Sequence, residues 1–341
     1  TRSGCDWSSD VCSSDLSTIV KFGLIIQGPL LSIGRGVSSY KKKAETSENE
    51  IIKHQCDETI ISNIENYGNL FEKIIISTWK DEKISKKLSE YIKSKNNVEI
   101  YQFSKSDVPE LPKLKVPSSW SKEMSSIMNV NNNLNQYTGC KLGLVKLENV
   151  DFVIRVRTDQ EINIQKLKEF ILENPKKIVV PGIFFENYMY QIADFYFGGS
   201  YKNILNFFEA CSKNIFDFSP HINPISCLAN SKYLDELNMN SEVLYYSKES
   251  FQYKIMQNFV ISKALLPSPS SIYQKISWRG EKAGTEWKNQ NKNIYFYENF
   301  SDIKQLVLPE SNRIIDSKLY SSKSNFFTKV LRRLIKLELF K

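Results

Sequence analysis

Histidine is almost absent from this chain, at two residues in 341, and none of its six cysteines stands in a C-x-x-C pair. With only His54 and His221 to draw on, no histidine-rich metal spacing exists. Neither G-x-G-x-x-G nor G-x-x-x-x-G-K-[ST] occurs, which disfavours dinucleotide oxidoreduction and P-loop hydrolysis. No apolar run approaches the roughly 18–20 residues that a bilayer span needs. The run after Ser17 is broken by Lys21 and by Gln27-Gly28-Pro29. A signal peptide there is the alternative reading, but the run has no small-residue cleavage site. Cys56, Cys140, Cys211 and Cys227 are scattered, as expected in a reducing compartment, so the chain reads as cytoplasmic.

Residues 1–16 (TRSGCDWSSDVCSSDL) have no initiating Met and no periodicity. From Asp6 to Leu16 they read as an in-frame translation of a sequencing-library adapter, with a native disordered terminus as the alternative, and they are set aside from fold reasoning. Their removal raises the net charge from +8 to +10, because Arg2 leaves together with three aspartates. Much of that excess sits at the far end: Ser317 to Lys341 holds seven basic residues against the single Glu338. The body is only mildly basic, which argues against a broad nucleic-acid groove and for an anion-seeking tail.

What the chain does have is a set of short β-branched runs that break off into polar clusters: FGLIIQGP from Phe22, IIISTW from Ile74 and FVIRVRTDQE from Phe152. Strands buried on both faces of a parallel sheet read as such runs, and ligands of open α/β sheets bind beyond their carboxyl ends. The spacing predicts a helix over Ile51 to Tyr67, ended by Gly68, another over Lys83 to Ser94, and a strand over Val98 to Phe103. The resulting βαβαβ order is that of a doubly wound nucleotide-binding half. Further on, a helix is expected over Glu123 to Glu148, with Asn132, Gln136, Gly139 and Gly143 on one stripe. That stripe suits either a close helix crossing or a hydrogen-bonding edge for a sugar or base. A helix over Glu161 to Glu173 opens at Asn163. Strands are expected over Lys177 to Phe185 and Tyr188 to Phe197, and Gly198-Gly199 reads as a turn into a helix from Tyr201 to Cys211. Pro267 to Ser271 (PSPSS) reads as a linker.

The polar clusters carry the candidate chemistry. Period two puts Arg155, Arg157 and Asp159 on one face of the third run, a charged face opposite an apolar one. Asp159-Gln160-Glu161 is an acid pair that suits a divalent cation, Mn²⁺ or Mg²⁺, bridging a diphosphate; the competing reading is that Asp159 pairs with Arg157 or caps a helix. Gln27-Gly28-Pro29 offers a tight turn, and Ser77-Thr78-Trp79 offers hydroxyls and a stacking ring, together a seat for a nucleoside. Asp194 lies in an aromatic stretch where desolvation would raise its pKa toward that of a general base, although a structural Asp bonded to backbone amides fits equally.

Taken in order, IIQGP, IIISTW, the Asn-rich helix with Asn132 and Gln136 leading to Gly143-Leu144, IRVRTD and IADFYFGG resemble the WavE family of lipopolysaccharide-synthesis proteins over about residues 20–210. The resemblance implies a glycosyltransferase A-like, mixed but mainly parallel α/β sheet flanked by helices, and a sugar transferase in cell-surface polysaccharide assembly. Carried over by position, it implies a nucleotide-sugar site of Gln27, Gly28, Pro29, Ser77, Thr78, Trp79, Asn132, Gln136 and Arg157, with Asp159, Asp194 and Gly198 beside them. In this reading Asp159 and Asp194 are catalytic and Arg157 screens leaving-group charge; the metal role of Asp159 with Glu161 comes from the acid-pair spacing alone, since the shared motif is R-T-D and does not include Glu161. The expected partners are a nucleotide-sugar donor and an oligosaccharide or lipid-linked acceptor. Residues 17–266 would form the catalytic domain and 267–324 a helical C-terminal extension. Residues 325–341 would form a basic amphipathic helix, with Phe327, Val330, Leu331, Leu334 and Leu337 apolar, facing the anionic inner membrane or docked on the domain. A sugar nucleotidyltransferase and a non-catalytic glycan- or lipid-binding protein are the rival readings.

Overall fold

The computed structural model describes residues 20–35, 51–109, 127–147, 149–186, 189–214, 224–240, 243, 251–285 and 294–301. Residues 1–16 and the expected helix over 325–341 lie outside the described residues.

Strand β1 (Phe22–Gln27) is buried along its whole length, as an apolar run with both faces covered must be. It is followed by β2 (Leu31–Arg35), β3 (Ile51–Gln55), α1 (Asp57–Tyr67), β4 (Lys73–Trp79), α2 (Lys86–Lys93) and β5 (Val98–Phe103). Then come α3 (Ile127–Val145), β6 (Phe152–Arg157), β7 (Gln160–Glu161), α4 (Ile164–Glu173), β8 (Ile178–Val180), β9 (Ile183–Glu186), β10 (Met189–Ile192) and β11 (Tyr196–Ser200). The remainder comprises α5 (Tyr201–Asn214), α6 (Pro224–Leu228), α7 (Phe251–Ala264), β12 (Leu265–Pro267), α8 (Ser270–Tyr273), β13 (Ser277–Trp278), β14 (Glu281–Lys282) and β15 (Ile294–Tyr295).

The central sheet has seven strands in the order β12-β8-β11-β6-β1-β4-β5. All run parallel except β11, which is antiparallel to both β6 and β8. The chain moves outward from β1 through β4 to β5, then returns to lay β6 on the other side of β1. That reversal of crossover direction opens a crevice at the carboxyl ends of β1 and β6, where ligands of open α/β sheets bind. The register places Gln27 between Ser77 and Arg157. A mixed α/β class with a mostly parallel sheet is therefore established. Among the described residues no helix is long and apolar enough to cross a membrane.

Helix α4 starts where Asn163 caps it, its side-chain oxygen accepting from Lys166 N at 3.0 Å. It buries Ile164, Leu167 and Ile171, the stripe its spacing predicts. Several expectations are corrected. Ile51–Gln55 is a strand, not the start of a helix: it pairs antiparallel with β2, and α1 begins only at Asp57. The two strands expected over 177–197 are four: β8 and β11 in the central sheet, and β9 and β10 paired antiparallel in a separate three-stranded one. Gly198-Gly199 is no turn but the middle of β11, paired with Ile154 and Val153. A Cβ on Gly198 would stand 2.3 Å from Ile171 Cδ1, so the glycine lets α4 close on the sheet. Pro267–Ser271 is no linker either: Pro267 pairs with Val180 as the end of an edge strand, and Ser268 is fully buried. The charged face expected of β6 is not open, since Val153 and Arg155 are both buried.

Candidate functional site

The turn after β1 and the end of β6 are laced together. Gly28 has φ +146°, and a Cβ there would lie 2.5 Å from Thr158 Oγ1. Only glycine meets both conditions without strain. Its N–H donates to Ser77 O at 3.1 Å, Thr158 N donates to Gln27 O at 3.2 Å, and Thr158 Oγ1 donates to Pro29 O at 2.7 Å. Gln27 Oε1 accepts from Arg155 Nη2 at 2.7 Å, and Arg155 Nη1 also donates to the backbone carbonyl of Asp194. Arg155 is 1% exposed, a charge kept inside by neutral oxygen acceptors.

Asp159 sits at the centre, 1% exposed. Arg157 grips it with Nε to Oδ1 at 2.8 Å and Nη2 to Oδ2 at 3.0 Å. Ser32 Oγ donates to Oδ2 at 2.6 Å and Trp278 Nε1 donates to the same oxygen at 3.0 Å. Arg279 Nε lies 3.4 Å from Oδ2 and also donates to Ser32 Oγ at 2.9 Å. Burial alone would raise the Asp159 pKa. The Arg157 guanidinium and its hydrogen bond, then Ser32 and Arg279, outweigh that and hold it well below the usual carboxylate range. Arg157 in turn donates from Nη1 to Asp194 Oδ2 at 2.8 Å. Burial would lower the Arg157 pKa, but the two carboxylates push it up. Both guanidiniums face the Trp278 ring, Arg279 at 4.3 Å and Arg157 at 6.0 Å from its centroid.

Asp159 therefore pairs with Arg157, the competing reading of its sequence context. Both of its oxygens carry N–H or O–H donors from residues that include two guanidiniums, and a divalent cation would have to displace them and face their charge. Glu161 lies exposed on β7, paired in register with Ser277, and is not among the groups around Asp159. Among the described residues no three His, Cys, Asp or Glu side chains are grouped to hold a metal ion. The donor set does not fit a cation at Asp159, because both of its oxygens already face N–H and O–H donors and two guanidiniums.

Asp194 is not on a strand but in the bend before β11, and its side chain is 41% exposed. The desolvation expected for it is not there. Of the other sequence candidates, Ser77 is fully buried beneath α3, its hydroxyl donating to Gly139 O at 2.8 Å. Gly139 and Gly143 face the sheet at the close helix crossing their spacing allowed. Thr78 is also fully buried, its Oγ1 3.4 Å from Glu82 Oε2. The same Glu82 oxygen accepts from Leu30 N, and desolvation raises the Glu82 pKa. Trp79 is half-buried and packs on Phe103 with ring centroids 4.3 Å apart. Gln136 Nε2 is buried without a hydrogen-bond partner among the described residues. The side chain of Asn132 lies outside the described residues.

Thus Gln27, Gly28, Pro29, Arg157, Asp159 and Asp194 meet at one place, with the Ser77-Thr78-Trp79 end of β4 beside them. Sequence reasoning missed Ser32, Arg155 as a tie, Trp278 and Arg279. The W-R-G triplet at 278–280 was the available signal for the last two, since Arg279 has φ +50° and Gly280 φ +78°, a tight reversal between β13 and β14.

No family model and no curated protein matches this chain. Among solved structures it is similar to 4-diphosphocytidyl-2C-methyl-D-erythritol synthase from Anaerococcus prevotii DSM 20548 at 11% identity and a TM-score of 0.32, covering 58% of this chain and 84% of that one. A likeness of that size carries no argument about function.

Proposed function

We propose that this chain is a glycosyltransferase that moves a sugar from a nucleotide-sugar donor to a lipopolysaccharide core, O-antigen or capsule acceptor. The observation that carries the reading is the meeting of the Q-G-P turn and the R-T-D strand end at the crossover reversal between β1 and β6, tied by Arg155 to Gln27. The resemblance to the WavE family names the same two motifs. The mainly parallel sheet agrees with the glycosyltransferase A-like class it implies.

In this reading the donor diphosphate lies against Arg157 and Arg279, and their charge does the work first assigned to a metal. Arg157 spends three of its five N–H groups on Asp159 and Asp194, which leaves two for phosphate oxygens. Asp159 orients the guanidiniums. Only Asp194, the exposed carboxylate of the two, can reach an acceptor hydroxyl as base. The basic tail would hold the enzyme at an anionic membrane surface where a lipid-linked acceptor lies.

Titration calorimetry against a panel of nucleoside diphosphates and nucleotide sugars, with Mn²⁺ and with EDTA, tests the reading. Binding of a nucleotide sugar, followed by transfer or slow hydrolysis, is expected. Pyrophosphate release from a sugar phosphate and a nucleoside triphosphate would replace it with the nucleotidyltransferase reading, and absence of any nucleotide affinity would leave a glycan- or lipid-binding protein.

A further inference from the structure

At the opposite end of the sheet lies a second cleft of about 530 Å³. Its position follows from topology: β8 runs parallel to β6, because both are antiparallel to β11, and the cleft opens at the amino end of β8 beside Lys176 and Ile178. The candidate transferase site is at the carboxyl ends. Four lysines line the cleft, Lys176, Lys213, Lys232 and Lys263, and none is in an ion pair among the described residues. Two of them rest on aromatic rings, Lys232 at 5.2 Å from the Tyr233 centroid and Lys263 at 5.4 Å from that of Phe259. Its acid, Glu209, is 3.3 Å from Lys141 on α3 and so does not neutralise the four.

The rest of the wall differs in character. Asn206 of α5 lines it with an amide, and Asn203 with one whose Nδ2 donates to Lys176 O at 3.3 Å, leaving its Oδ1 as an acceptor. Leu228 lines it with apolar surface, and Ser231, in a π-helical stretch over Ala229–Tyr233, with a hydroxyl that donates to Leu228 O at 2.9 Å and can still accept. A π-helical turn is uncommon and is frequent at functional sites. Clustered like charges cost energy unless an anion is there to meet them, and a concave wall concentrates their field on that anion. Amides, a hydroxyl and an apolar patch on the same wall as the four lysines match a ligand with hydroxyls and a carbon face as well as acid groups.

We propose that this cleft is a binding site for an acidic oligosaccharide, separate from the donor site. The full-length chain is titrated with a galacturonate hexasaccharide, with maltohexaose as the neutral counterpart and with inorganic tripolyphosphate, at about 0.15 M salt so that loose surface attraction is screened. The galacturonate is expected to bind roughly tenfold or more tightly than maltohexaose, and the Lys213→Gln, Lys232→Gln double variant to lose that margin with an unchanged melting temperature. Arg157→Lys, in the donor site, is expected to leave the galacturonate isotherm unmoved. Equal binding of the acidic and neutral sugars, or full binding by the double variant, overturns the proposal. Tripolyphosphate competing at higher affinity than the galacturonate reduces the cleft to a general anion patch and overturns it too. A failure at the donor site shows only in the nucleotide titrations, so the two readings stand or fall apart.

Discussion

Arg155 Nη2 donates to Gln27 Oε1 at 2.7 Å across 128 residues of sequence, and with its other nitrogen holds the backbone of Asp194. One buried guanidinium thus fixes the turn after β1, the end of β6 and the bend before β11. Arg155→Met removes the donors but leaves the oxygens buried. It is expected to cost about 2–4 kcal/mol, the range for stranding buried partners of a charged group. The midpoint of urea unfolding should fall with little change in slope; a shift under about 0.5 kcal/mol would contradict the tie.

Gly28→Ala introduces a Cβ 2.5 Å from Thr158 Oγ1 at a backbone angle that L-residues rarely adopt. A loss of about 2 kcal/mol or more is expected. Pairing it with Thr158→Ala relieves the contact but not the angle, so only part of the loss should return. Complete recovery, read by thermal melting, would mean that the backbone conformation carries no cost.

Asp159 and Glu82 should respond to pH with opposite signs. The folded-state pKa of Asp159 is depressed, so its contribution is present above its unfolded value of about 3.9 and is lost as pH falls toward the folded one. Asp159→Asn should therefore be less stable than the wild type at neutral pH, with the gap narrowing below about pH 4. Glu82 has a raised folded pKa from desolvation, so its contribution is present below about pH 4.3 and declines as pH rises through the folded value. Glu82→Gln should gain relative to wild type at neutral pH and not in acid. Denaturation curves at several pH values would show it, and parallel curves for either variant would count against the assigned shift.

Donor affinity is expected to depend on guanidinium rather than metal. Arg279→Ala should weaken nucleoside diphosphate binding by roughly tenfold or more, the scale of one charge-assisted phosphate contact. EDTA should leave wild-type binding within about twofold, well inside that tenfold scale. A collapse of affinity in EDTA, restored by Mn²⁺, would return the diphosphate to a cation.

The tail proposal predicts that a chain ending at Ser324 stays folded and active on a soluble acceptor but no longer co-sediments with anionic liposomes. Unchanged sedimentation would remove the membrane role, and collapse of the shortened protein would instead favour a docked helix.

The parts of this structure legible in the sequence are those written locally. Runs such as FGLIIQ and KIIIST, short and β-branched, read as strands covered on both faces, and their polar ends mark the crevice. Asn163 announced its helix by the capping rule. Ile51–Gln55 was misread because its apolar and polar residues fit a helical count, while the partner that makes it a strand, β2, is set by pairing. Pro267–Ser271 looked like a linker because proline and serine report turn chemistry, not burial. The identity of the groups around Asp159 had no local signature: Ser32 comes from 127 residues upstream and Trp278 from 119 downstream. Asp194 reads as a strand residue because its aromatic neighbours do form one, beginning two residues later.

The bond between Arg279 and Ser32 spans 247 residues, and that distance sets the order in which its two ends are made. As the chain leaves the ribosome, β1 to β6 can pair well before Trp278 and Arg279 have been made. Through that interval Asp159 has Arg157 and Ser32 but not the indole and second guanidinium that complete its burial. Pairing of the sheet strands β1 to β6 thus needs nothing from the β13–β14 hairpin, whereas the Asp159 cluster is complete only once that hairpin has been made.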